Sequence, residues 1–224
     1  MNRRALDQAH TRQDSFTIGT RSTALQGIRE PHMSVAVWER RLPLVVERKL
    51  AAWGARAPLA FDALLDSASY DISGVLRDVD EEVRIWLLND MALLLGHFLS
   101  LADASRFRLQ FGAVRNDQCR KFHVDYFRLR MVTTYAGPGT QWLPETAVNR
   151  TALEPSEELV HEANRQIVKD PSEVRQARAG DVVLLKGAFF GSGSAPAAVH
   201  RSPPIERQGA TRVVLVATAL RNDS

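Results

Sequence analysis

The stretch Cys119-Arg-Lys-Phe-His123-Val-Asp125-Tyr-Phe-Arg-Leu129-Arg-Met-Val-Thr-Thr-Tyr135-Ala-Gly-Pro-Gly-Thr140-Gln-Trp142 decides how the chain is read. Leu129 to Tyr135 are rich in β-branched, aromatic and long apolar side chains and run into a Gly-Pro-Gly turn, which predicts a strand. Just before it, His123 and Asp125 stand two residues apart. On extended backbone such a pair shares one face, about 6.5–7 Å apart at Cα, close enough to converge on one metal ion. A His-x-Asp pair alone is near what chance supplies, so it counts only beside further ligands.

Toward the C-terminus, Ala179-Gly180-Asp181 is a turn leading into Val182-Val183-Leu184-Leu185-Lys186, a continuous apolar run that suits a strand covered on both faces. A loop rich in Gly, Ser and Ala follows over residues 187–198. His200 then lies in Val199-His200-Arg201-Ser202-Pro203-Pro204, and Arg212 to Ala219 form the last strand. Strand parity groups Arg212 with Val214, Val216 and Thr218, and Val213 with Leu215, Ala217 and Ala219. If Arg212 points inward, its guanidinium needs an acid partner; otherwise it opens an edge strand and reaches solvent.

Toward the N-terminus, Phe107, Leu109, Phe111 and Ala113 alternate with Arg108, Gln110 and Gly112, a half-buried strand. Before residue 105 the period is helical. Leu44, Val45, Leu50 and Ala51 form one segment after Pro43, and Leu59, Phe61, Leu64 and Leu65 begin another after Pro58. Val83, Leu87, Met91, Leu94, Leu95, Phe98 and Leu101 mark the longest helix, whose Asn89, Asp90 and His97 make it too polar for a membrane span. Residues 1–29 carry Arg3, Arg4, Arg12 and Arg21 without an apolar signal core, and read as a poorly ordered tail of a cytoplasmic protein. A transit peptide is the alternative, opposed by Asp7, Asp14 and Glu30. Within 137–180, Thr151 and Glu154 suit a capping box and Pro155 to Gln166 a short helix.

This order of elements predicts an α+β fold in which the strands form a small barrel or jelly roll backed by N-terminal helices. Residues 30–224 read as one domain, with helical support over 30–104 and a β core over 105–224 that contains an insert at 137–180. The 224 residues, 45% of them apolar, suffice for a sizeable core. Lys+Arg number 29 and Asp+Glu 26, and the net charge of +3 is spread along the chain, which argues against nucleic acid as a partner. No membrane partner is expected. The single cysteine, Cys119, excludes an intrachain disulfide and a multi-cysteine zinc ribbon.

Taken together, His123, Asp125, His200 and Arg212, with Gly180-Asp181-Val-Val-Leu-Leu between, resemble the iron(II)/2-oxoglutarate dioxygenase superfamily over about residues 105–220. The resemblance implies a double-stranded β-helix and hydroxylase-type chemistry on a small molecule or a protein side chain. It implies Fe(II) held by His123, Asp125 and His200, and 2-oxoglutarate held by Arg212. Lys186, Tyr135 and Arg130 are the candidates for a second cosubstrate contact. The wording Phe-His-x-Asp, Tyr-x-Gly-Pro-Gly-Thr-x-Trp-Leu, Gly-Asp-Val-x-Leu-Leu-Lys-Gly and Val-His-Arg-Ser-Pro-Pro also resembles a bacterial family labelled a domain of unknown function, a closer match that supplies no activity. The alternative is a non-catalytic barrel that handles zinc through His123, Asp125 and His200, with or without Cys119 as a fourth ligand; the two readings differ on whether Arg212 is needed at the pocket.

Overall fold

Residues Arg212–Ala219 alternate between two buried environments, and the molecule is built on that alternation. The computed structural model describes residues 14–56, 59–75, 79–117, 119–154, 159–191 and 196–220. In chain order the elements are β1 (Phe16–Gly19), a 3-10 helix (Ser22–Arg29), β2 (Val35–Trp38), α1 (Leu44–Gly54), β3 (Leu59–Asp66), α2 (Glu81–Ala102), β4 (Arg106–Val114) and β5 (Leu129–Ala136). They continue with β6 (Gln141–Trp142), α3 (Val160–Ile167), β7 (Arg175–Gln176), β8 (Val182–Lys186), β9 (His200–Arg201) and β10 (Arg212–Ala219). Seven strands form one sheet in the order β1-β2-β8-β5-β10-β4-β3, and β7-β6-β9 form a small second sheet. All neighbours are antiparallel except β1 and β2. The fold therefore mixes helices with one large sheet.

Parity separates two cores. Val213, Leu215, Ala217 and Ala219 of β10, with Phe107, Leu109 and Phe111 of β4, pack against Leu87, Met91, Leu94 and Phe98 of α2. On the opposite face, Val214 of β10, Val132 of β5 and Val183 and Leu185 of β8 meet Trp142 of β6. β8 lies between two strands with every residue buried, as its unbroken apolar run requires. α2 starts at Asp80, whose side chain accepts from Val83 N, and carries Glu81 and Glu82 where the helix dipole favours anions.

The structure departs from the sequence expectations in several places. Leu59–Asp66 is an edge strand, not a helix, because Asp62 pairs with Arg108 across β4 and Ala63 and Leu65 share the inward parity of Phe61. Of the tail expected over 1–29, residues 1–13 lie outside those described; the remainder is built in, with β1 paired to β2 and Leu25 and Ile28 fully buried. The segment 137–180, expected as an insert, contributes β6, α3 and β7. The helix expected over 155–166 is α3 from Val160, with 155–158 outside the described residues, and Thr151 bonds Asn149 in place of a capping box. The loop expected over 187–198 falls outside them at 192–195. By length and composition α2 is apolar enough to cross a membrane, contrary to the expectation from its polar interruptions, but its apolar stripe is the core of the sheet.

Candidate metal centre

His123 and His200 sit on neighbouring antiparallel segments that exchange reciprocal backbone bonds, His123 N to His200 O and His200 N to His123 O, each 3.0 Å. In such a pair both side chains leave on the same side, and the imidazole centroids are 4.6 Å apart. Asp125 follows two residues later with the same parity, and its own carbonyl accepts from Ala188 N at 2.8 Å. One ligand atom from each of His123, Asp125 and His200 lies within 4.8 Å of the others.

The orientation of these groups suits a cation. His123 Nδ1 is 2.8 Å from Lys121 O and His200 Nδ1 is 3.1 Å from Ala198 O. Each carbonyl can only accept, so both Nδ1 atoms carry the proton and both Nε2 lone pairs are free. Those Nε2 atoms face the carboxylate, at 3.3 Å from Asp125 Oδ2 for His200 and 3.7 Å from Oδ1 for His123. Asp125 Oδ2 also lies 2.7 Å from Arg130 Nη1, yet it is buried and no approach to it has hydrogen-bond geometry. Burial alone raises the Asp125 carboxyl pKa, but His200, Arg130 and His123 outweigh it and hold the group below the ordinary range. Burial, then the closeness of His200, holds the His123 imidazole below its ordinary pKa. The set thus offers two Nε2 atoms and one carboxylate, the donor set of a facial triad.

Arg212 lies on the same side of the sheet and is 3% exposed. Among the described residues it has no carboxylate partner: Nη2 reaches only the hydroxyls of Thr134 at 3.3 Å and Thr140 at 3.4 Å, and Nε has no partner. Burial pushes its pKa down to about 10. A cavity of about 200 Å³ joins this guanidinium to His123 and His200 across Val132, Val214 and Val216. The turn at Gly137 positions the arginine. Gly137 has φ +82°, and a Cβ there would collide with Thr211 O, so only glycine lets Gly-Pro-Gly press on the start of β10 and carry Thr140 to Arg212.

Two of the expected cosubstrate contacts lie elsewhere. Tyr135 has the parity of Met131, so it is buried on the helix side, where its hydroxyl donates to Asp90 at 2.7 Å. Lys186 has the parity of Val182 and Leu184, and its Nζ bonds Glu30 O at 2.8 Å beside the Phe190 ring. Arg130, the third candidate, does line the cavity. Cys119 lines it too, but as an exposed residue in a left-handed turn of φ 51°, outside the three-residue cluster, which removes the sulfur ligand that the zinc alternative invoked. His97 packs edge-on to Trp38, and His161 is exposed beside Glu162. Thr134 and Thr140 were not singled out from sequence; the only signal was that Thr134 shares the parity of Arg130 and Val132.

A family described as a protein of unknown function (DUF1826) matches residues 19–217. No curated protein matches the chain. Among solved structures it is similar to a prolyl-4-hydroxylase of Pseudomonas putida, with 14% identity over 90% of this chain and 99% of that one and a TM-score of 0.44. It is also similar to the dioxygenase for auxin oxidation 1 of Arabidopsis thaliana in complex with 2-oxoglutarate, with 9% identity over 94% of each chain and a TM-score of 0.48. A full-length Neurospora crassa protein in complex with α-ketoglutarate is 12% identical over 90% of this chain and 78% of that one, with a TM-score of 0.42. Matched from residue 19 to residue 217, the chain belongs to the DUF1826 family.

Proposed function

We propose that the protein is an Fe(II)- and 2-oxoglutarate-dependent oxygenase of the hydroxylase type, and that its large and small sheets are the two halves of a double-stranded β-helix. The observation that carries this reading is a His-Asp-His cluster whose two histidines share one cavity with a buried arginine that has no carboxylate partner among the described residues. A buried guanidinium left uncompensated is strongly unfavourable, and a dicarboxylate that enters the cavity supplies the missing anion.

In this reading His123, Asp125 and His200 hold the iron through the two Nε2 lone pairs and the open acceptor atom Oδ2 or its partner Oδ1. Arg212 holds the far carboxylate of 2-oxoglutarate, assisted by the hydroxyls of Thr134 and Thr140. Val132, Val214 and Val216 give the floor an apolar surface that excludes water from the reacting end. When bound, iron and 2-oxoglutarate supply the oxidising power, since oxidative decarboxylation with O₂ yields succinate and CO₂ and leaves one oxygen atom for a substrate C–H bond. The protein contributes placement: Lys121 O and Ala198 O fix the imidazole tautomers, and Ala188 N fixes the Asp125 backbone.

The test is anaerobic addition of Fe(II) and 2-oxoglutarate to the purified protein. A visible charge-transfer band is expected, absent in His200→Ala and requiring far more 2-oxoglutarate in Arg212→Ala. Absence of the band in the wild type, with tight stoichiometric zinc and no response to 2-oxoglutarate, overturns the reading.

A further inference from the structure

We infer that Arg130 selects a substrate bearing an anionic group, a carboxylate or a phosphate, bound at the end of the cavity floor opposite Arg212; this rests on the oxygenase reading above. The floor is made by alternate residues of two paired strands. Val214 stands opposite Thr134, Val216 opposite Val132 and Thr218 opposite Arg130. Arg212 is tied to the Thr134 end, whereas Arg130 donates through Nε to Thr218 Oγ1 at 3.2 Å. Four residues of strand separate Thr134 from Arg130, about 13 Å. A five-carbon diacid that runs from Arg212 to the metal ligands ends beside Asp125, which Arg130 meets through Nη1 at 2.7 Å, so the part of the Arg130 guanidinium turned away from Asp125 remains for the other substrate.

Charge then decides the class of that substrate. A divalent metal together with Arg212 balances Asp125 together with the two carboxylates of 2-oxoglutarate, and the charge of Arg130 is left over. Besides Asp125, no carboxylate among the described residues contacts Arg130 or lines the cavity. Asp62, which reaches Gln110 on the floor, is engaged by Arg108 at 2.7 and 2.5 Å. The guanidinium is also presented for binding. Phe127 backs it at 5.0 Å, its side chain is 20% exposed, and Nε and Nη1 meet Thr218 and Asp125. When a metal draws on the charge of Asp125, Arg130 is left with the weaker share of its one counter-ion among the described residues. An oxyanion on the incoming substrate satisfies it with a charge-assisted bond.

A purely orienting role for Arg130, as a clamp on Asp125, is the competing explanation, and charge selectivity separates the two. The full-length protein is loaded anaerobically with Fe(II) and saturating 2-oxoglutarate, and the charge-transfer band is recorded first; its absence is the failure of the oxygenase reading itself. Butyrate, monopropyl phosphate, butyramide and butylammonium are then titrated, and their proton relaxation by the iron is followed by NMR. At least one of the two anions is expected to bind at least tenfold more tightly than butyramide or butylammonium, and the tighter anion identifies the group. Arg130→Lys is expected to retain that preference and Arg130→Gln to reduce it to within twofold. Equal binding of all four probes overturns the proposal, as does anion binding that is lost on raising 2-oxoglutarate, or an undiminished preference in Arg130→Gln. If Arg130→Gln does not retain iron, the ranking in wild type and Arg130→Lys decides by the same criteria.

Discussion

Arg212 carries a charge that no described carboxylate neutralises, and its pKa of about 10 measures what burial costs it. The unfolded chain, at the ordinary arginine value, binds that proton more tightly, so stability rises with pH above about 10 and the cost is fully present at neutral pH. Arg212→Met is therefore expected to melt no lower than wild type without ligand, while its 2-oxoglutarate affinity falls about 100-fold, roughly 2.7 kcal/mol. Calorimetric titration and thermal melting check the two halves. His123 has the same sign of effect in a different window. Its pKa is held down by burial and by His200, so as pH falls the unfolded chain protonates first. The metal-free protein is expected to lose stability as pH drops through the ordinary histidine value of about 6.5, with the loss complete below the folded pKa. Asp125 acts oppositely: its lowered pKa adds stability above the ordinary carboxylate range, which is lost as pH falls through the folded value. Urea midpoints across pH, with His123→Gln expected to flatten the histidine limb and leave the acid one, check the assignment.

β10 sits at the middle of the large sheet and presents opposite parities to the two cores, which is why one strand carries both helix packing and Arg212. β8 ends where the chain approaches the metal ligands. A Cβ added at Gly187 would collide with Phe127 O and lie 3.1 Å from Asp125 O, so the 125–127 backbone must move to admit it. Gly187→Ala is expected to weaken iron binding at least tenfold and to cost about 1–3 kcal/mol of stability, read by metal titration and denaturant unfolding. The long strands β4, β5, β8 and β10 were legible because each spans enough residues for a period or a continuous apolar run to register. β6, β7 and β9 are two residues long, so no period exists to read, although β9 places His200. β3 was misread because Leu59, Phe61, Leu64 and Leu65 fit helical spacing as well as an alternating strand, and the choice falls to Arg108 on its neighbour.

Across the whole molecule the helix side holds its own polar network, apart from the metal centre. Arg40 pairs bidentately with Asp90 of α2, donates to Gly180 O at 2.6 Å, and shares Asp90 with the Tyr135 hydroxyl. This joins the segment after β2 to α2 and to the turn that starts β8. Asp90→Asn is expected to cost about 3–5 kcal/mol by stripping the partner from a largely buried arginine. Tyr135→Phe should cost only about 1 kcal/mol and leave 2-oxoglutarate affinity unchanged, as its place on the helix side requires. Chemical denaturation measures the first, and isothermal titration the second. By itself the sequence determined the strand-rich second half and the long helix, because periodicity is a local property of residue type and spacing, whereas the quartet His123, Asp125, His200 and Arg212 stood out through its resemblance to a known superfamily. Only the tertiary structure decided which groups share a cavity. Parity and strand order send Tyr135 and Lys186 to the far face, and bring Thr134, Thr140 and Arg130 onto the site. They also leave Arg212 without an acid among the described residues, since a side chain's partners are set by neighbours distant in sequence and by the close approach that Gly137 permits.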